Sequence, residues 1–265
     1  MRGGRPASEA AIPEGRFAPV AQPEGRPRPH PVILLQGIVR SRFSLMRMAR
    51  GLAAAGFEVY NLGGPSPRLA LEEQVERFRR ELEQLGRELA RLNGGEALVM
   101  HGVGHSMGGV VLRVALAHAE SIVPGRVVAI ATPFLGTRVA EVVCQHRVAR
   151  RVMGEALGDL TWHSAAIRRL ASSVGEDPEV GVVLGQQHFQ PLLPSAWINA
   201  WLGLEDTDGT IQPASARGDG LWPPPADVLT VRTGHTFMAE KAEVIRQTAH
   251  FLARGRFARP ARSEL

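Results

Sequence analysis

The chain has 265 residues, 44% of them apolar, enough to bury one sizeable core without requiring a second domain. Its formal net charge of +5 does not point to nucleic acid: Lys241 is the single lysine among 31 basic residues, and the arginines are interspersed with glutamates rather than gathered on an aromatic-lined stripe. With no run of roughly 18 to 20 apolar residues, no apolar block resembling a secretory leader and only the lone Cys144, the expectation is a soluble, cytoplasmic protein without a transmembrane segment or internal disulfide.

Residues 1 to 30 are dominated by proline, glycine, arginine and glutamate, a composition that buries too little to offset its ordering entropy and predicts a disordered tail. At Val32-Ile33-Leu34-Leu35 a short apolar run closed by Gly37 reads as a strand buried on both faces and opens the domain, which is expected over residues 31–257. A helix near Phe43 to Ala55 leads to a short strand at Phe57-Glu58-Val59-Tyr60, then through Gly63-Gly64-Pro65 into a long helix from about Leu69 to Leu92. In that helix Leu71, Val75, Phe78, Leu82, Leu85, Leu89 and Leu92 recur by fours and threes, as on a helix packed against a sheet or in a short coiled coil. After Asn93-Gly94-Gly95 come a strand at Ala97 to Met100, a helix at Met107 to Ala119 and a strand at Arg126 to Ile130. The stretch from about Thr137 to Val180 is mixed and partly helical. Strands at Val182-Val183-Leu184 and Val228 to Val231 follow, then a closing helix at Phe237 to Leu252 and a flexible tail at 258–265. Such alternation calls for an α/β fold: a mostly parallel, doubly wound sheet with helices on both faces.

Ser106 stands between a strand and a helix in Gly104-His105-Ser106-Met107-Gly108. A sharp strand-to-helix turn forces its central residue into a strained geometry and crowds the neighbouring chain, which very small residues two before and two after relieve; Gly104 and Gly108 are those residues. At the helix entrance the Met107 N–H can stabilise an oxyanion, and the loop after the first strand offers the Ile38 N–H as a second donor. A serine nucleophile needs a base held by a carboxylate, and in this arrangement both follow the serine at later strand ends. Among the histidines after Ser106, His235 follows the final strand and precedes the final helix, which makes it the candidate base. The candidate acid lies in Asp206-Thr207-Asp208-Gly209-Thr210, between the last two strands. His101 and His105 straddle a strand-to-turn break with no third ligand nearby, so neither a metal nor a cofactor is expected.

The stretches VILLQGIVRS, GHSMGG, AIATPFLGT, DGTIQPASA and GHTFMAEKAEVIRQTAHFL resemble the α/β-hydrolase superfamily, in particular its bacterial triacylglycerol lipase and esterase-like members. The resemblance implies Ser106 as nucleophile, Asp208 as acid, His235 as base, and Ile38 with Met107 as oxyanion donors. Asp208 is also favoured over Asp206 by the tight turn that Gly209 permits directly after it. Many relatives carry His-Gly where this chain has Gln36-Gly37. The expected function is hydrolysis of a small-molecule ester or lipid through an acyl-enzyme. A cap or lid is expected within about residues 135–205, and Leu192, Leu193, Trp197 and Trp201 are candidates for the acyl pocket or lid. The alternatives are a thioesterase or acyltransferase with the same triad, or a non-catalytic binding protein on the same fold.

Overall fold

The computed structural model describes residues 16–17, 30–38, 42–146, 154–175, 177–186, 198, 201–203 and 207–259. Its strands are β1 (Arg16–Phe17), β2 (Pro31–Leu35), β3 (Glu58–Asn61), β4 (Val99–His105), β5 (Val123–Ile130), β6 (Val180–Gly185) and β7 (Asp227–Val231). They form one sheet in the order β1-β3-β2-β4-β5-β6-β7, in which β1 alone runs antiparallel. The helices are α1 (Met46–Ala54), α2 (Leu71–Leu92), α3 (Met107–Ala117), α4 (Arg138–Val143), α5 (Ala156–Asp159), α6 (Ala165–Ser173), α7 (Pro213–Arg217) and α8 (Ala242–Arg254).

Side chains alternate across a strand, so each apolar run feeds two cores. In β2, Ile33 and Leu35 pack with α2, α3 and α6, while Val32 and Leu34 pack with α1 and α8. Strands buried on both faces need no polar alternation, which is why PVILL is apolar throughout and fully buried. The fours-and-threes stripe of α2 lies on α3 rather than on a second long helix, and only its last member, Leu92, is exposed. On its outer face Arg77, Arg79 and Arg80 pair with Glu76 and Glu81, a solvated lattice that explains the interspersed charges, while the exposed Arg87 reaches the buried Glu83.

Three expectations are corrected. Arg16 and Phe17, inside the segment predicted to be disordered, pair with Tyr60 and Val59 of β3, and the Arg16 guanidinium meets the buried Glu58 carboxylate at 2.7 Å. An ion pair plus edge pairing holds two residues that composition alone assigns to solvent. The strand expected at Ala97 to Met100 instead starts at Val99 and continues to His105, because Val32↔His101 through Leu35↔Gly104 pair it with β2. Parallel pairing overrides the turn propensity of Gly102 and Gly104. The closing helix begins at Ala242, and His235–Glu240 form a 3-10 turn before it.

One arginine contradicts the surface pattern. Arg113 in α3 is fully buried, its guanidinium 4.9 Å from the Phe134 ring and 4.8 Å from Trp222, and it donates through Nε to Asp177 at 2.8 Å. The Trp222 indole N–H donates to the Phe134 carbonyl at 2.7 Å, tying the chain after β5 to the chain before β7. No helix among the described residues is long and apolar enough to cross a membrane.

Candidate active site

The chain leaves β2 for β3 on one side and then crosses to β4 on the other, so the strand order reverses at β2. In an open parallel sheet the crevice outside the carboxyl ends at such a switch point is where ligands bind. The loop leaving β2 carries Gly37 and Ile38, and β4 ends one residue before Ser106. The two loops touch: a Cβ added at Gly37 would lie 3.3 Å from Ser106 Oγ.

Ser106 has φ 55° and ψ −132°, a conformation that costs a non-glycine residue on the order of 1–3 kcal/mol. It is held by its N–H, which donates to the Ile130 carbonyl of β5 at 2.9 Å, and by its carbonyl, which accepts from the Gly109 N–H at 2.9 Å. The flanking glycines are required by contact. A Cβ at Gly104 would sit 2.6 Å from Gly109 N, and one at Gly108 would sit 2.5 Å from the Gln36 carbonyl oxygen. Gly109 is equally constrained, against the Thr132 side chain, and no pattern in the sequence announced that contact. Met107 opens α3, so its N–H has no partner inside the helix and stands at the positive end of the helix dipole.

Asp208 is 1% exposed and sits at the carboxyl end of β6, where a Cβ on Gly185 would meet its Cβ at 2.5 Å. One oxygen, Oδ1, accepts the backbone N–H groups of Thr210 at 2.9 Å and Ile211 at 2.7 Å. The other, Oδ2, accepts Nδ1–H of His235 at 2.9 Å, which leaves Nε2 of that imidazole as its acceptor. The main chains are joined as well, His235 N–H donating to the Asp208 carbonyl at 2.9 Å. Asp206 lies outside the described residues.

Ser106, His105, His235, Gly37 and Ile38 line a common cavity of about 320 Å³. Its remaining wall is largely apolar: Val139, Ala140 and Val143 from α4, Leu157 and Leu160 from the α5 region, and Ile211 after the acid. The loop after β5 is stitched to the loop after Asp208, the Ser215 hydroxyl accepting the Leu135 N–H at 3.2 Å and donating to the Gly136 carbonyl. The structure therefore brings together Ser106, Asp208, His235 and Ile38 with the Met107 turn. It does not place Trp201 in the cavity wall: that side chain is 78% exposed. Leu192, Leu193 and Trp197 lie outside the described residues. The apolar wall comes instead from the partly helical stretch after β5, whose short helices carry too few turns for a periodic signal.

No protein-family model matches the sequence, and no curated protein matches it. Among solved structures the chain is similar to the Bacillus licheniformis lipase BlEst2. The propeptide form gives a TM-score of 0.71 at 16% identity over 94% of this chain and 55% of that chain, so this chain spans about half of its length. The mature form gives 0.65 at 16% identity over 85% of this chain and 92% of that one. The Pyrococcus furiosus esterase Pf2001 gives 0.52 at 13% identity over 86% of this chain and 83% of that one. At such identities the likeness is one of architecture, and with the sheet order it establishes that the chain has the α/β-hydrolase fold.

Proposed function

We propose that the protein is a serine hydrolase of carboxylic esters with an apolar acyl group. The observation that carries this reading is the His235 imidazole, oriented by a buried carboxylate and lining the same cavity as a serine in strained turn geometry. In the reaction His235 Nε2 takes the Ser106 hydroxyl proton as Oγ attacks the ester carbonyl, and the carbonyl π electrons move onto oxygen. The N–H groups of Met107 and Ile38 hold that oxyanion. Collapse expels the alcohol, which receives the proton from His235 and leaves an acyl-Ser106. Water, deprotonated by the same imidazole, then releases the acid. Asp208 stays ionised, fixes the Nδ1–H tautomer and stabilises the imidazolium that forms.

The largely apolar wall supports an apolar acyl substituent, and α4 with the α5 region, which supply much of that wall, serve as the cap expected within about 135–205. The lipase and esterase names of the similar structures agree with this chemistry. A fluorophosphonate probe should label Ser106 and no other serine, and p-nitrophenyl esters from acetate through palmitate should be hydrolysed with a single optimum of acyl length. An unlabelled Ser106 in a folded protein refutes the reading.

A further inference from the structure

We infer that His105 is a positioning residue that sets the distance between nucleophile and base; the inference rests on the serine-hydrolase reading of this site. His105 is the last residue of β4 and only 3% exposed. Its Nε2–H donates to the main-chain carbonyl of His235 at 3.0 Å across 130 residues of sequence. The two imidazoles also pack together, ring centroids 5.0 Å apart and tilted by 46°.

His235 is thereby tied from both sides. Asp208 holds it through the main-chain N–H and through ring Nδ1, and His105 holds it through the carbonyl. The first two ties fix the imidazole to the acid's loop and say nothing about where Ser106 is. The third does, because the next residue in the chain is Ser106, and β4 is locked at that end by the His105↔Ile130 register and the Ser106 N–H bond to the Ile130 carbonyl. Nucleophile and base thus share one short rigid link through the His105 ring. A proton transfer is steeply sensitive to such spacing, and a shift of about 1 Å can cost roughly 10²-fold. The same bond demands a proton on Nε2 of His105.

Two substitutions separate the bond from the ring. His105→Phe keeps an aromatic ring against His235 and removes the donor; His105→Gln removes the ring but carries an N–H the same number of bonds from Cβ. With p-nitrophenyl butyrate, His105→Phe should lower kcat about 10- to 100-fold with KM within about twofold, and slow fluorophosphonate labelling in proportion. His105→Gln should recover to within about threefold of wild type. A folded His105→Phe enzyme with wild-type kcat, or a Gln variant as impaired as Phe, overturns the inference. Should neither variant fold, ¹⁵N-histidine spectra of the unaltered protein decide: the inference requires a proton on His105 Nε2, and an Nδ1–H or averaged tautomer overturns it. Loss of the ester-hydrolase reading would look different, as wild-type protein that leaves Ser106 unlabelled.

Discussion

His101 and His105 lie four residues apart on the same face of β4, yet they occupy opposite ends of the sheet and do opposite things. His101 sits at the amino-terminal end. There its Nδ1 accepts the Arg126 N–H at 2.8 Å, its ring stacks on His30 at 5.4 Å, and it faces a cavity of about 690 Å³ lined by Phe57, Pro124 and Pro178. His105 at the carboxyl-terminal end faces a cavity of about 320 Å³, less than half the size. The smaller cavity is lined by Ser106 and by His235, whose imidazole is held by Asp208. All three non-glycine residues with positive φ among the described residues belong to that end: Ser106 after β4, Ala131 after β5, and His163, whose N–H donates to the Leu135 carbonyl at 2.7 Å. The larger cavity holds no strained residue and its acidic side chains are already paired, Asp177 with Arg113 and Glu179 with Arg126. Convergence and strain, rather than volume, mark the functional end of a parallel sheet.

The sharpest way to break this contrast is at the nucleophile. Ser106→Ala should reduce ester turnover by roughly four to six orders of magnitude while circular dichroism and Tm stay near wild type, since alanine fits the turn but cannot attack. A variant that retains more than a few per cent of the activity would dismiss Ser106. Next comes the acid: Asp208→Asn should lower kcat about 10²- to 10⁴-fold with little change in KM, through loss of the Nδ1–H tautomer and of imidazolium stabilisation. Wild-type turnover in Asp208→Asn would mean that another carboxylate holds His235.

Much of this end was legible in the sequence, and the reasons are local. The run Val32 to Leu35, the glycines flanking Ser106 and the position of His235 between the last strand and the last helix each carry their signal within a few residues. What was hidden depends on partners far along the chain. His105 meets the His235 carbonyl from 130 residues away, and Gly102 to His105 become strand only because β2 and β5 pair with them. Arg113 stands in the apolar run Val110 to Leu116, but its partners Phe134, Trp222 and Asp177 all come from later in the chain, so nothing local names them.

That buried arginine gives a third test, one that separates scaffold from chemistry. Arg113→Met keeps the bulk between the two rings but removes the guanidinium from the part-buried Asp177, so the loss of stability should fall below the about 3–5 kcal/mol that breaking a fully buried pair costs. Denaturant unfolding should show that loss, while kcat of the folded fraction stays within a few-fold of wild type. A collapse of kcat without loss of stability would instead assign Arg113 to the site.

The smallest effect belongs to the amino-terminal histidine and appears only in acid. Burial, with smaller contributions from the neighbouring His30 and Arg126, pushes the His101 pKa down from 6.5 to about 4, so the folded protein keeps this imidazole neutral where the unfolded chain would protonate it. The unfolded state therefore binds the extra proton between these values, and stability falls as the pH drops. The contribution is fully present above about pH 6.5 and is lost progressively toward pH 4, to a total of about 3 kcal/mol. His101→Asn removes the titrating group while Asn Oδ1 can still accept the Arg126 N–H, so at neutral pH its stability should stay within about 1 kcal/mol of wild type. Carboxylates shared by both proteins titrate alike, so the difference between their unfolding free energies at neutral pH and near pH 4 isolates His101. The variant should lose less stability on acidification and hydrolyse esters at the wild-type rate at neutral pH. Parallel acid curves would mean that His101 is not held neutral, and a drop in turnover would join the two ends of β4 that the structure keeps apart.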